Sequence, residues 1–125
     1  METQMDNAAE IVRTYLDALT EGPAGLATAR ELLADDLEYH DPMMSVERAD
    51  DLIAQLRQIN AGNVDIELVE LIPGDGVVAS LTSFAMPNGE RVPFTQWFWV
   101  EGAKITRSRV IYDPRPFLEL GEQMQ

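Results

Sequence analysis

Apolar positions in the first half of the chain recur with a helical period. Ile11, Val12, Tyr15, Leu16 and Leu19 share one face of a helix expected over 7–20. Asn7 with Glu10 three positions later has the form of a capping box, and Gly22-Pro23 closes the helix. A second, shorter helix is expected over 24–34, turning Leu26, Leu32 and Leu33 inward. Residues 35–42 read as a short strand that stops at Pro42, because proline has no N–H to give to a ladder. A third helix is expected from a Ser45 cap to residue 58 or 59, with Leu52, Ile53, Leu56 and Ile59 as its stripe. Asn60-Ala61-Gly62-Asn63 ends it.

From Val64 the period changes to two. Val64, Ile66 and Leu68 alternate, and the alternation slips at Leu68-Val69, as a bulge or a two-sided strand requires. Pro73-Gly74-Asp75-Gly76 is a turn, and strands are expected over 77–86, 91–100 and 104–112. Pro87-Asn88-Gly89 and Glu101-Gly102 are the turns between them. Pro114 and Pro116 read as the end of regular structure, leaving a short tail. Helices followed by antiparallel strands give an α+β class. A long twisted sheet of this kind curls around its helices and leaves a pocket on its concave face.

The length of 125 residues suits a single domain over 1–125. There is no cysteine, which excludes disulfides and thiol chemistry, and no apolar run approaches a membrane span. The N-terminus is polar and acidic, so a soluble, cytoplasmic protein is expected. The formal net charge of −13 repels nucleic acid and anionic membranes. One histidine and no carboxylate cage leave no expected metal site.

Asp41 stands at the end of the first expected strand, fixed toward extended geometry by Pro42. A carboxylate in that place is either a turn residue or a proton acceptor. Three stretches add to this reading. Tyr15-Leu16-Asp17-Ala18-Leu19-Thr20-Glu21-Gly22, Leu33-Ala34-Asp35-Asp36-Leu37-Glu38-Tyr39-His40-Asp41-Pro42 and Gly102-Ala103-Lys104-Ile105 resemble the ketosteroid isomerase and SnoaL-like group of the NTF2-like superfamily. The resemblance lies in order and spacing and covers nearly the whole chain. It implies a cone-shaped α+β fold with three N-terminal helices packed in a curved, mainly antiparallel sheet. It also implies cofactor-independent acid–base chemistry of the isomerase or polyketide cyclase type on a small hydrophobic carbonyl compound. Asp41 matches the place of the general base, and Tyr15 the tyrosine that donates to an enolate oxygen. Gln96 falls near the position where that isomerase family keeps a protonated aspartic acid. Removing a proton beside a carbonyl needs both parts, a base on carbon and donors on the oxygen.

Ile111-Tyr112-Asp113-Pro114 resembles the strand end where SnoaL-like cyclases and limonene-type epoxide hydrolases keep an aspartate, which makes Asp113 a second candidate acid or base. Arg107 and Arg109 do not supply the Arg–Asp pair that such hydrolysis uses, so hydrolase ranks lower. Tyr39, His40, Phe84, Phe98 and Tyr112 are the expected substrate contacts. Trp97 and Trp99 alternate with Gln96 and Phe98, so the two sets face opposite sides of the sheet. One side is expected to line the pocket and the other to pack against a second copy as a homodimer. The competing reading is a non-catalytic small-molecule-binding or accessory protein of the same fold. Convergence of Tyr15, Asp41 and Gln96 on one pocket separates the two.

Overall fold

The computed structural model describes residues 4–60, 65–86 and 88–123. Its elements are α1 (Gln4–Ala18), α2 (Gly22–Glu31), β1 (Leu33–His40), β2 (Ser45–Val46), α3 (Ala49–Asn60), β3 (Ile66–Pro73), β4 (Val77–Ala85), β5 (Arg91–Glu101), β6 (Lys104–Ile111) and α4 (Arg115–Gln123). The strands form one mixed sheet in the order β2-β1-β6-β5-β4-β3. β1 and β6 run parallel, and the other neighbouring pairs are antiparallel. The sheet is curved and unclosed, and the class is α+β, as the sequence implies. Among the described residues no helix is long and apolar enough to cross a membrane.

Strands β4, β5 and β6 begin and end within one residue of the positions read from the turns. In β3 the register shifts between Leu68 and Glu70, where the alternation slips, and Val69 is left exposed. The core lies between α1, α2, α3 and the inner sheet face. Val12, Leu26, Leu37, Leu52, Phe98 and Ile105 are its largest fully buried members, all but removed from water.

Four local expectations are corrected. α1 runs from Gln4, upstream of the expected Asn7 cap, and the Asn7 side chain lies outside the described residues, as do Ala61–Asn63 and Pro87 of the turns. α2 stops at Glu31, because Leu33 pairs with Ile105 and begins β1. Ser45 does not cap α3. It pairs with His40 in the two-residue strand β2, and α3 starts at Ala49. The segment after Pro114 is a helix, not a tail. Its prolines fall at or before the first turn, where a missing N–H costs nothing, and Asp113 Oδ1 accepts the Arg115 N–H at 3.0 Å.

The close approach of α2 to α1 depends on Gly25. A Cβ there would stand 2.0 Å from the Ala18 carbonyl oxygen, so backbone would have to move. Gly25→Ala should cost about 1–3 kcal/mol, the range for overpacking, in spite of alanine's better helix propensity. Equilibrium urea denaturation checks it, and a stability gain would show that the helices separate freely.

Candidate functional site

The inner face of the sheet and the helices enclose a cavity of about 440 Å³. Tyr15 and Leu16 of α1, Leu52 and Leu56 of α3, and Phe84 and Phe94 of the sheet supply apolar wall. Asp41 is the one carboxylate among the described lining residues. The end of β1 fixes it. Its Oδ1 accepts the N–H groups of Met43 (2.7 Å) and Met44 (2.8 Å), and its own N–H donates to the Met44 carbonyl (2.9 Å). This Asx-type turn reverses the chain after Pro42 and returns it as β2. Oδ2 accepts the Tyr39 hydroxyl at 2.7 Å. One oxygen of Asp41 thus serves the turn, and the other meets Tyr39 at the cavity wall.

Tyr15, Tyr39 and Tyr112 are all the tyrosines of the chain, and all three line the cavity. Burial pushes the Tyr15 hydroxyl well above the ordinary tyrosine range. Tyr39 is pushed further, first by burial and then by its bond to Asp41. Tyr112 is pushed up to about 12, first by burial and then by the Asp41 charge. The donor to Asp41 is thus Tyr39, while the Tyr15 hydroxyl has no partner among the described residues. Tyr15 packs edge-on against Phe98, with ring centroids 5.9 Å apart. Gln96 donates from Nε2 to the Ser108 hydroxyl at 2.8 Å, which leaves its second N–H and its carbonyl oxygen for a ligand.

The cavity brings together Asp41, Tyr15, Gln96, Tyr39, Phe84 and Tyr112 from the sequence reading. Three expected members do not line it. His40 alternates outward on β1, where its Nδ1 meets the Ser45 hydroxyl at 2.9 Å. Phe98 is fully buried beneath Tyr15 as core. Asp113 is exposed and paired with Arg115 at 2.7 Å, and that bond holds its carboxyl below the ordinary range. Lining residues not foreseen include Gln55, Thr82, Phe94 and Phe117. Thr82 and Phe94 were available from alternation with Phe84 and Gln96. Phe117 was hidden by the two prolines; it packs from α4 on Phe84, Phe94 and Tyr112 with centroids 5.3–5.9 Å apart. Among the described residues no group of three His, Cys, Asp or Glu side chains is placed to hold a metal ion.

The SnoaL-like domain model matches residues 12–108, most of the chain and all of the elements that build the cavity except α4 and the end of β6. The chain belongs to the SnoaL-like domain family. Several solved structures resemble it in fold. One is a putative ketosteroid isomerase from Kribbella flavida, 18% identical with a TM-score of 0.78, covering 89% of this chain and 81% of its own. A second is an LEH-like epoxide hydrolase from M. tuberculosis, 20% identical with a TM-score of 0.76, covering 94% and 90%. A third is a protein of ketosteroid isomerase-like fold from Catenulispora acidiphila in complex with trimethylamine, 18% identical with a TM-score of 0.72, covering 83% and 85%. No curated protein matches the sequence.

Because every tyrosine of this SnoaL-like chain sits in the site, alkaline titration reads the site directly. A folded-state pKa raised above the unfolded value of about 10 adds stability that is complete below pH 10 and lost as pH climbs through the folded value. Ultraviolet titration should show no tyrosinate near pH 10 while the protein stays folded. Tyr112 should ionise first, near 12, and stability should fall across that window. A tyrosine titrating near 10 in the native state would place its hydroxyl in bulk water.

Proposed function

We propose that the protein takes a small, mostly apolar carbonyl compound into this cavity and moves a proton on it, with Asp41 as the acceptor. The observation that carries the reading is the Asp41 carboxylate, held by Tyr39 and by two backbone N–H groups with one lone pair of Oδ2 left over, at the wall of an otherwise apolar cavity. A base held at fixed orientation has no reorganisation to complete when a substrate arrives. Tyr15 offers an unengaged hydroxyl from the helix side, and Gln96 a second N–H from the sheet side, for the oxygen that becomes negative. No cofactor is needed for that step, and the fit is to isomerase- or cyclase-type chemistry. Asp113, engaged by Arg115 outside the cavity, has no part in it.

The occupied lone pairs of Asp41 and the Gln96–Ser108 bond favour a second reading, a binding or accessory protein without turnover. The two part on deuterium exchange at the α-carbon of cyclic enones, followed by NMR. Under the first, Asp41→Asn abolishes exchange, Tyr15→Phe slows it roughly 10²–10³-fold, as for loss of one oxyanion donor, and Asp113→Asn leaves it unchanged. Exchange that survives Asp41→Asn would end the acid–base assignment.

The same proposal includes a two-fold dimer through the outer sheet face, in a cytoplasmic protein. Trp97 is 43% exposed there, in line with exposed Ile72 across β4, and Ile111 is exposed beside it. Acidic Glu67 and Glu70 lie on β3, whereas Arg107 and Arg109 lie on β6, so a two-fold axis along the strands sets acids against arginines. The interface should bury at least about 1,200 Å² in total. Sedimentation equilibrium at micromolar concentration should return twice the chain mass, and Trp97→Glu should return the monomer. A wild-type monomer contradicts the dimer.

A further inference from the structure

The polar groups of the cavity floor extend beyond those that the chemistry at Asp41 uses. They lie on successive strands of the inner face. Tyr39 of β1 pairs in register with Ser108 of β6, and Ser108 accepts the Gln96 amide from β5. Gln96 in turn stands opposite Ser80 of β4, and Thr82 follows two residues on, on the same face. All of these but Gln96 are buried, and Thr82 and Gln96 open on the cavity. The Ser80 Oγ is buried with no hydrogen-bond partner, and Thr82 stands at the cavity wall two residues on. Alanine and valine would fill the same volumes without stranding a hydroxyl, so packing does not account for them. The remaining inner-face neighbours on β4 are Val78 and Phe84, so no charged side chain of that strand faces this end.

We infer that Thr82, backed by Ser80, is a second polar pole of the binding site, which takes an uncharged hydroxyl or carbonyl of the ligand. The inference deepens the small-molecule reading above and names a class: a flat or elongated apolar compound oxygenated at both ends. One oxygen lies at the Asp41 end of the cavity, where the Tyr15 hydroxyl meets it, and the other lies over β4. Strands β1 and β4 are three spacings apart through β6 and β5, about 14 Å between backbones. Side chains reach inward from both ends, so the two poles stand closer together than the two backbones. A two-ring compound spans that distance, and the 440 Å³ cavity holds it with space to spare. The pole is neutral, so it discriminates against carboxylates and ammonium groups there, which would be desolvated without a counter-charge.

Calorimetric titration of the protein with para-phenylphenol and with its para,para′-dihydroxy analogue tests this. The two probes differ only by the distal hydroxyl. The wild type should bind the diol about tenfold more tightly, the yield of one net hydrogen bond. Thr82→Val and Ser80→Ala should each bring that ratio toward one. Thermal unfolding gives an independent arm, since removal of a stranded hydroxyl should leave ligand-free Ser80→Ala melting at or above the wild type. Equal affinity for the two probes, a ratio that survives both substitutions, or a clear loss of melting temperature in Ser80→Ala overturns the inference. The ratio is read in binding without turnover, so it stands or falls separately from proton transfer at Asp41.

Discussion

The Asp41 carboxylate gathers three donors, and most of the site's geometry follows from that. Its Oδ1 closes the 41–44 turn on the N–H groups of Met43 and Met44. Without that turn the chain after Pro42 has no reason to come back against β1 as β2, and α3 would enter from another angle. α3 carries Leu52, Gln55 and Leu56 to the cavity, so one side of the site hangs on a backbone reversal stabilised by a side chain. Oδ2 satisfies the Tyr39 hydroxyl, which burial would otherwise strand. One charge thus meets a turn, an edge strand and a buried phenol while standing at the wall of an apolar space.

The sheet divides the remaining labour between its faces. Inward, β4, β5 and β6 alternate so that Phe84, Phe94 and Val110 form wall while Thr82 and Gln96 interrupt it with polar groups. Outward, Trp97, Ile72 and Ile111 remain exposed on a protein whose net charge of −13 otherwise favours solvation. Phe117 then covers the aromatic end of the cavity from α4. Tyr112 links the regions, stacked on Phe94 at 4.2 Å and within the field of Asp41.

Much of this was legible in the residues. The change of period at Val64, the slip at Leu68-Val69 and the Gly-rich turns located the sheet, because strand alternation and turn chemistry are local properties. The place of Asp41 and Tyr15 on one cavity followed from the family resemblance. The partner of Asp41 did not. Whether a helix residue or the strand residue two positions away reaches a carboxylate depends on how α1 is rotated and how far it penetrates, which no local pattern encodes. The same holds for Phe98, which alternation puts on the inner face with Gln96 but which lies beneath Tyr15 rather than in the open part of the cavity. The C-terminal helix was misread because prolines that start a helix look like prolines that stop one.

Everything here rests on Asp41 and Tyr39 acting as one unit, and a double-mutant cycle measures that directly. Equilibrium denaturation of the wild type, Tyr39→Phe, Asp41→Ala and the double variant isolates their coupling from the loss of the turn, which the single Asp41 change also carries. A hydrogen bond to a charged group at 2.7 Å in partial burial should give a coupling of about 1.5–3 kcal/mol. Additive effects, with coupling within about 0.5 kcal/mol of zero, would show that the phenol and the carboxylate do not depend on one another and would contradict the account.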